Sequence, residues 1–211
     1  MQFDKSQTYQ NLARAFAGEC QAGMRYQMTA QKAMEEKLFR LSDCIRNIAK
    51  NETVHATTFF HFMLEEGKNA DNVAIDAGYP FRGGELVEML RFSAEDEKAE
   101  AERIYPEFSR IAKEEGYPKI AGAFERISVI ENNHRIIFEY LAEAVQKGVL
   151  YSHDEPRLWI CSECGYMHTA KQAFEKCPVC HKGQGYVELH LPFDYLGHNG
   201  MSLFAKKGEN E

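Results

Sequence analysis

The 211-residue sequence contains no basic run, with 25 Lys and Arg set against 32 Asp and Glu for a formal charge of −7. Recognition of a phosphate backbone rests on clustered Lys and Arg, so nucleic acid is excluded as a partner. No stretch approaches the ~18 apolar residues of a membrane span, and Met1-Gln2-Phe3-Asp4-Lys5 lacks the apolar centre of a signal peptide. A cytoplasmic protein with no membrane partner is the expectation. A distributed cysteine framework is also missing. Cys20 and Cys44 stand alone in helical sequence, as small buried hydrophobes do, while Cys161, Cys164, Cys177 and Cys180 are packed together near the end. What is present is an apolar share of 44%, enough for one helical bundle and a small second module.

Breakers divide the first 147 residues into four helical stretches, roughly 6–36, 39–66, 84–115 and 118–147. Gly67, Gly116 and Gly148 occupy C-cap positions and Pro118 a first-turn position. Tight turns at Lys37-Leu38 and Gly116-Tyr117 predict two antiparallel hairpins. Residues 68–83 are different: extended, they reach ~53 Å, more than the ~42 Å of a 28-residue helix. The fold class expected is mainly α, a four-helix bundle with a long crossover of the ferritin-like kind.

Each helix carries a seam in steps of four and three. The seams read Leu12, Phe16, Glu19, Gly23, Tyr26, Ala30, Ala33; then Leu41, Ile45, Ile48, Glu52, His55, Phe59, Phe62. The third reads Leu86, Leu90, Ser93, Glu97, Glu100, Ile104, Phe108, Ile111, and the fourth Ile120, Phe124, Ile127, Glu131, His134, Phe138, Leu141, Val145. Acids thus interrupt all four apolar stripes, and no Lys or Arg accompanies them. A buried carboxylate is costly unless paired or bound to metal, so the seams call for cations. Glutamates from two helices plus Glu-x-x-His from two others form the ligand set of dinuclear carboxylate bundles.

Height along the bundle agrees. Glu19 lies about 18 residues before the first turn and Glu52/His55 about 16 after it, a mismatch of only ~3–4 Å. Glu97 and Glu100 stand similarly to Glu131 and His134 about Gly116. The halves also read as a repeat, with Glu19 and Glu52 separated by 33 residues and Glu97 and Glu131 by 34. An isolated helical Glu is ordinarily a solvated charge, and Glu-x-x-His alone is a weak motif. Register separates the two cases: Glu95, Glu102, Glu125, Glu139 and Glu143 fall off the seams as surface charges, and His61 is a bystander. Tyr26, on its seam, is either ordinary core or a donor to a ligand carboxylate. Tyr105 lies farther round its helix.

Beyond Gly148, Ser152-His153-Asp154-Glu155-Pro156 reads as a linker before a compact module. Its C-x2-C-x12-C-x2-C spacing is a strong tetrathiolate signal, with Gly165 permitting the tight turn after the first pair. Such a site suits zinc or iron. Beside an iron bundle, iron is favoured because it carries electrons and zinc does not.

The combination resembles the rubrerythrin family, a ferritin-like bundle joined to a rubredoxin-like domain, over about residues 5–190. The carriers are Ala17-Gly-Glu-Cys-Gln-Ala22, Glu52-x-x-His55, Glu97-x-x-Glu100 with Tyr105-Pro106, Glu131-x-x-His134 and Trp159-x-Cys161-x-x-Cys164-Gly-Tyr. Ala94-Glu95-Asp96 departs from the Ala-Gly-Glu echo of the first helix. The resemblance implies that Glu52 and Glu131 bridge two irons, that Glu19 and Glu97 are terminal ligands, and that Glu100 exchanges with His55 as one iron changes oxidation state. Cys161, Cys164, Cys177 and Cys180 would hold a third iron. It further implies a peroxidase reducing hydrogen peroxide, a head-to-tail homodimer, and a flavoprotein or small electron carrier as donor. The rival reading is a ferroxidase or iron-binding protein with a structural zinc ribbon. The expected division is 1–148 bundle, 149–157 linker, 158–191 rubredoxin-like module and 192–211 a tail, containing His198, Asn199 and Gly200, without functional account.

Overall fold

The computed structural model describes residues 2–67 and 72–192. Helices α1 (Gln7–Glu35) and α2 (Phe39–Gly67) form one antiparallel hairpin. Helix α3 (Leu86–Ala99), a π turn (Glu100–Ile104) and α4 (Tyr105–Glu114) form one rod that packs against α5 (Pro118–Lys147). Local chemistry sets the ends. Ser6 Oγ accepts from Tyr9 N–H at 3.0 Å, and the Glu115 carboxylate accepts from the N–H groups of Gln7 and Thr8, satisfying the donors that begin α1. The α1–α2 turn closes with Leu38 N–H on Ala33 C=O, Lys37 taking φ 62°.

The expected crossover is present, although residues 68–71 lie outside the described residues. Phe62 and Met63, late in α2, pack in the cluster that holds Tyr9 and Leu12, whereas Leu86 starts α3 in the opposite cluster with Ala33 and Leu41. The chain therefore traverses the bundle's length between the two helices. Along the way Tyr79 Oη donates to Arg14 C=O at 2.8 Å, Arg14 Nε donates to Asp76 C=O at 3.0 Å, and Arg82 pairs with Glu95 and Asp96. Helix α3 begins two residues later than expected, at Leu86, where Glu88 folds back to accept from Glu85 N–H.

The third helix departs from the sequence expectation. It is not a continuous α-helix, because the π turn inserts one surplus residue after Ala99. Downstream the seam moves by one position: Tyr105, Ser109 and Ala112 are buried, while Ile104, Phe108 and Ile111 are only half-buried. Elsewhere the seams hold apart from Phe16, Phe62 and Val145, which are half-buried, and the five off-seam glutamates and His61 are exposed. Cys44 packs against the core, but Cys20 is exposed on α1 and is not the buried hydrophobe expected.

After α5 the chain enters β1 (Ser152–Ile160), paired antiparallel with β2 (Met167–Gln172). Residues 152–156, expected as linker, thus begin a strand whose register shifts between Ser152 and Arg157. Trp159 is buried and donates to Ala170 C=O at 2.9 Å. The module docks on the α1–α2 end of the bundle. The Phe39 and Tyr186 rings stack at 4.3 Å, Arg40 pairs with Glu188 at 2.7 Å, and Leu150 and Leu189 join the bundle core. Gly185 is held so close that an added Cβ would lie 1.8 Å from the Lys37 carbonyl oxygen. Among the described residues, no helix is long and apolar enough to cross a membrane.

Candidate metal centres

Two apolar clusters fill the two ends of the bundle, and a polar layer separates them. In it Glu19, Glu52, Glu97, Glu131 and His134 are at most 1% exposed, and His55 only 5%. Ligand atoms of Glu19, Glu52, His55 and Glu131 lie within 4.8 Å of one another, as do those of Glu52, Glu97, Glu131 and His134. Glu52 and Glu131 belong to both groups, so the layer offers two adjoining positions with two shared carboxylates.

The layer has a local two-fold symmetry. His55 Nδ1 lies 2.9 Å from Glu131 Oε1 and 3.0 Å from Glu52 Oε2, while His134 Nδ1 lies 2.9 Å from Glu131 Oε2 and 3.1 Å from Glu52 Oε1. The imidazole planes are 26° apart, with centroids at 6.0 Å. Tyrosines complete the symmetry. Tyr26 Oη donates to Glu97 Oε1 at 2.6 Å, and Tyr105 Oη donates to Glu19 Oε1. Tyr105, which the α-helical seam placed off to one side, reaches Glu19 because the π turn rotates it inward.

This much acid is unfavourable by itself. Burial, then repulsion from Glu131, raises the Glu19 carboxyl well above the usual range, and burial, then Glu52 and Glu131, pushes Glu97 up to about 8. Burial acts upward on Glu52 too, but the charges and hydrogen bonds of His134 and His55 outweigh it and hold that carboxyl below its usual range. Burial opposes the charge on His55, yet the hydrogen bonds it donates to Glu131, Glu19 and Glu52 raise it to about 12. No Lys or Arg is buried among the described residues, and Glu19 Oε2 and Glu97 Oε2 are buried without a hydrogen bond there. Two divalent cations would neutralise this layer and engage those oxygens. The residues fit the metal pair.

Glu100 belongs to neither group of four. It is half-buried on the wall of an open cavity of about 440 Å³ between α1, the π turn and the crossover, where it meets Gly18, Tyr79, Pro80, Ala99 and Tyr105. Burial, then the charges of Glu19, Glu97, Glu131 and Glu52, raises its carboxyl well above the usual range.

In the C-terminal module the four cysteine sulfurs lie within 4.8 Å of one another, with Cys161–Cys180 and Cys164–Cys177 each at 3.6 Å. A tetrahedral ion with metal–sulfur bonds near 2.3 Å separates its sulfurs by about 3.8 Å, so the four thiols are spaced for one ion and none is within disulfide range. The two knuckles are alike. Gly165 N–H donates to Cys161 C=O and His181 N–H to Cys177 C=O, while the N–H groups of Cys161 and Cys177 donate to the carbonyls of Tyr166 and Lys182. The residue after each pair is left-handed, Gly165 at φ 75° and, unexpectedly, His181 at φ 60°. Burial raises the Cys177 thiol, but hydrogen bonds from the Cys180 and Val179 backbone prevail and bring it down to about 7.

The family model described as Rubrerythrin matches residues 10–142 and 88–156, and that described as "Rubrerythrin, rubredoxin-like domain" matches 159–188. The chain belongs to the rubrerythrin family. It is 36% identical to a rubrerythrin of Clostridium perfringens over 185 residues, covering 87% of this chain and 94% of the relative. Among solved structures, a mixed-valence nigerythrin aligns with TM-score 0.58 at 24% identity, covering 90% of this chain and 94% of its own. A bacterioferritin of Desulfovibrio desulfuricans aligns with TM-score 0.61 at 24% identity, covering 68% and 82%. These two likenesses concern the fold, a ferritin-like bundle. Rubrerythrins bind two irons in the bundle and carry a four-cysteine site, and the family members are generally oxidoreductases. This chain has both constellations in place.

Asn51 is the site neighbour that sequence reasoning missed. Its Oδ1 lies 3.3 Å from His134 Nε2, on the side of the ring away from the acids. One residue before a ligand on a polar helix face, it gives no signal in the seam pattern.

Proposed function

We propose that the chain is a cytoplasmic non-haem di-iron peroxidase that reduces hydrogen peroxide to water. Glu19, Glu52, His55, Glu97, Glu100, Glu131 and His134 serve the dinuclear centre, with Cys161, Cys164, Cys177 and Cys180 holding the single iron. The observation that carries the reading is the pair of adjoining ligand groups sharing Glu52 and Glu131, beside a cavity that admits a small molecule. When bound, paired ferrous ions supply the two electrons of peroxide cleavage together, and the iron of the four-cysteine site supplies electrons one at a time. The side chains do the rest. Tyr26 and Tyr105 fix the orientation of Glu97 and Glu19 by hydrogen bonds, and the apolar clusters above and below exclude water. Glu100, on the cavity wall with a raised carboxyl, is placed to hold a proton where peroxide enters.

The domain division follows the same reading, a bundle over 1–148 and a rubredoxin-like module over 158–191. The module docks at Lys37, 15 residues before Glu52, which puts roughly 22 Å of helix between the two centres of one chain. A head-to-tail homodimer shortens that path by bringing the partner's module to the acid layer, with a flavoprotein or small electron carrier feeding the cysteine iron.

The test is metal content with visible absorption, followed by turnover. Two irons in the bundle and one in the cysteine site, with the strong colour of a ferric tetrathiolate, are expected. In Cys177→Ser the prereduced bundle is expected to react once with peroxide while sustained turnover stops. A colourless zinc-loaded module, or undiminished sustained turnover in Cys177→Ser, refutes the electron relay.

A further inference from the structure

The acid layer is two-fold symmetric in its ligands but not behind them. His134 is fully buried, and its outward nitrogen Nε2 meets the Asn51 Oδ1 acceptor across the helix interface. Asn51 immediately precedes Glu52 in α2. The corresponding place in α5, immediately before Glu131, is Ile130, which has no side-chain acceptor. His55 accordingly has its Nδ1 among the acids, while its Nε2 makes no hydrogen bond among the described residues. The cavity breaks the symmetry in the same direction. Arg25 and Asp96, beside Tyr26 and Glu97, line it as Gly18 does beside Glu19, but of the two tyrosines that donate to the acids only Tyr105, the Glu19 donor, reaches its wall. The layer has one closed, anchored half and one open, unanchored half.

Resting on the di-iron reading above, we propose that Asn51 is a positioning residue that makes the two metal positions unequal. The position formed by Glu52, Glu97, Glu131 and His134 fills first and holds its ion tightly. The position formed by Glu19, Glu52, His55 and Glu131 fills second, exchanges its ion readily and faces the incoming substrate. The physical reason is the tautomer. A histidine that binds metal through Nδ1 must carry its proton on Nε2, and an acceptor at Nε2 both selects that form and holds the ring in plane. Asn51 does this for His134. Among the described residues His55 has no such partner, so its ring loses more rotational freedom on binding an ion.

Cobalt(II) titration of the metal-free, full-length protein tests the proposal without relying on activity, since thiolate-to-cobalt bands report the cysteine site separately from the bundle. The wild type is expected to fill the bundle in two resolved steps. Asn51→Leu, which keeps the shape and removes the acceptor, is expected to weaken the tighter step by roughly 10–100-fold and leave the other in place. Asn51→Asp, which keeps an acceptor oxygen, retains the tight step, and Ile130→Asn strengthens the weak one. Helicity and the cysteine-site bands show whether each variant is folded. Should Asn51→Leu not fold, Ile130→Asn alone decides. Two indistinguishable bundle steps in the wild type overturn the proposal while leaving the di-iron reading intact, as does an Asn51→Leu that weakens both steps alike or neither. A bundle that takes up no metal overturns both.

Discussion

The two metal centres of this chain are built by opposite strategies. The bundle layer draws its ligands from α1, α2, α3 and α5, so it exists only when those helices are packed in register. The cysteine centre is made by two short knuckles, each closed by its own backbone hydrogen bonds, and its ligands all fall between Cys161 and Cys180. The first stores charge inside the core and depends on cations to make that tolerable. The second pairs buried Cys161 and Cys177 with more exposed Cys164 and Cys180, and turns backbone amides toward the Cys177 sulfur. A centre assembled from afar is rigid and costly, whereas one assembled locally is cheap and independent of the bundle's packing.

The sharpest way to break this contrast is Glu131→Ala. Glu131 belongs to both ligand groups, so the variant is expected to lose bundle metal and peroxide consumption by more than the roughly 100-fold cost of losing an outer-shell partner. The cysteine-site spectrum is expected to stay unchanged. Metal analysis and single-turnover peroxide assays check both halves, and retained activity removes the shared-ligand role.

A smaller effect separates the centres by pH. In the metal-free protein Glu97 is raised from 4.5 to about 8, so between those values the folded state keeps a proton that the unfolded state releases. Stability therefore falls as pH rises through that window, by on the order of a few kcal/mol. His55, raised from 6.5 to about 12, acts in the same direction at higher pH, its contribution being complete below 6.5 and lost as pH climbs toward 12. Calorimetry of the metal-free chain is expected to show a melting temperature that declines from acid to mildly alkaline pH, and bundle metal is expected to flatten the profile. A melting temperature that rises over this range contradicts the account. The smallest effect belongs to the other centre. His181→Gly relieves a left-handed backbone and is expected to stabilise the module by roughly 0.5–1 kcal/mol, read from its denaturant midpoint.

How far the sequence foretold these features depended on the kind of signal each leaves. Carboxylates on apolar seams stand out because burying them is expensive, so the sequence alone groups Glu19, Glu52, Glu97 and Glu131. Four cysteines at knuckle spacing are equally conspicuous. The π turn was hidden, since Ile104, Phe108 and Ile111 continue a regular apolar pattern and make an uninterrupted α-helix look satisfactory. Its consequence, the inward turn of Tyr105, was hidden with it. Asn51 and His181 left no trace either, because an amide on a polar face and a histidine after a cysteine pair are both ordinary in composition. Residues 152–156, rich in charge and ending at Pro156, looked like a connector, yet strand pairing took over part of that stretch.

The surplus residue in the third helix amounts to a phase shifter. Wound as a continuous α-helix, the same residues would put Ile104, Phe108 and Ile111 in the interior places that Tyr105, Ser109 and Ala112 hold. A phenol would then be traded for hydrocarbon beside Glu19, and the cavity wall that Tyr105 lines would change with it. One residue taken up in the turn thus decides whether Glu19 meets a hydroxyl donor or a hydrocarbon wall.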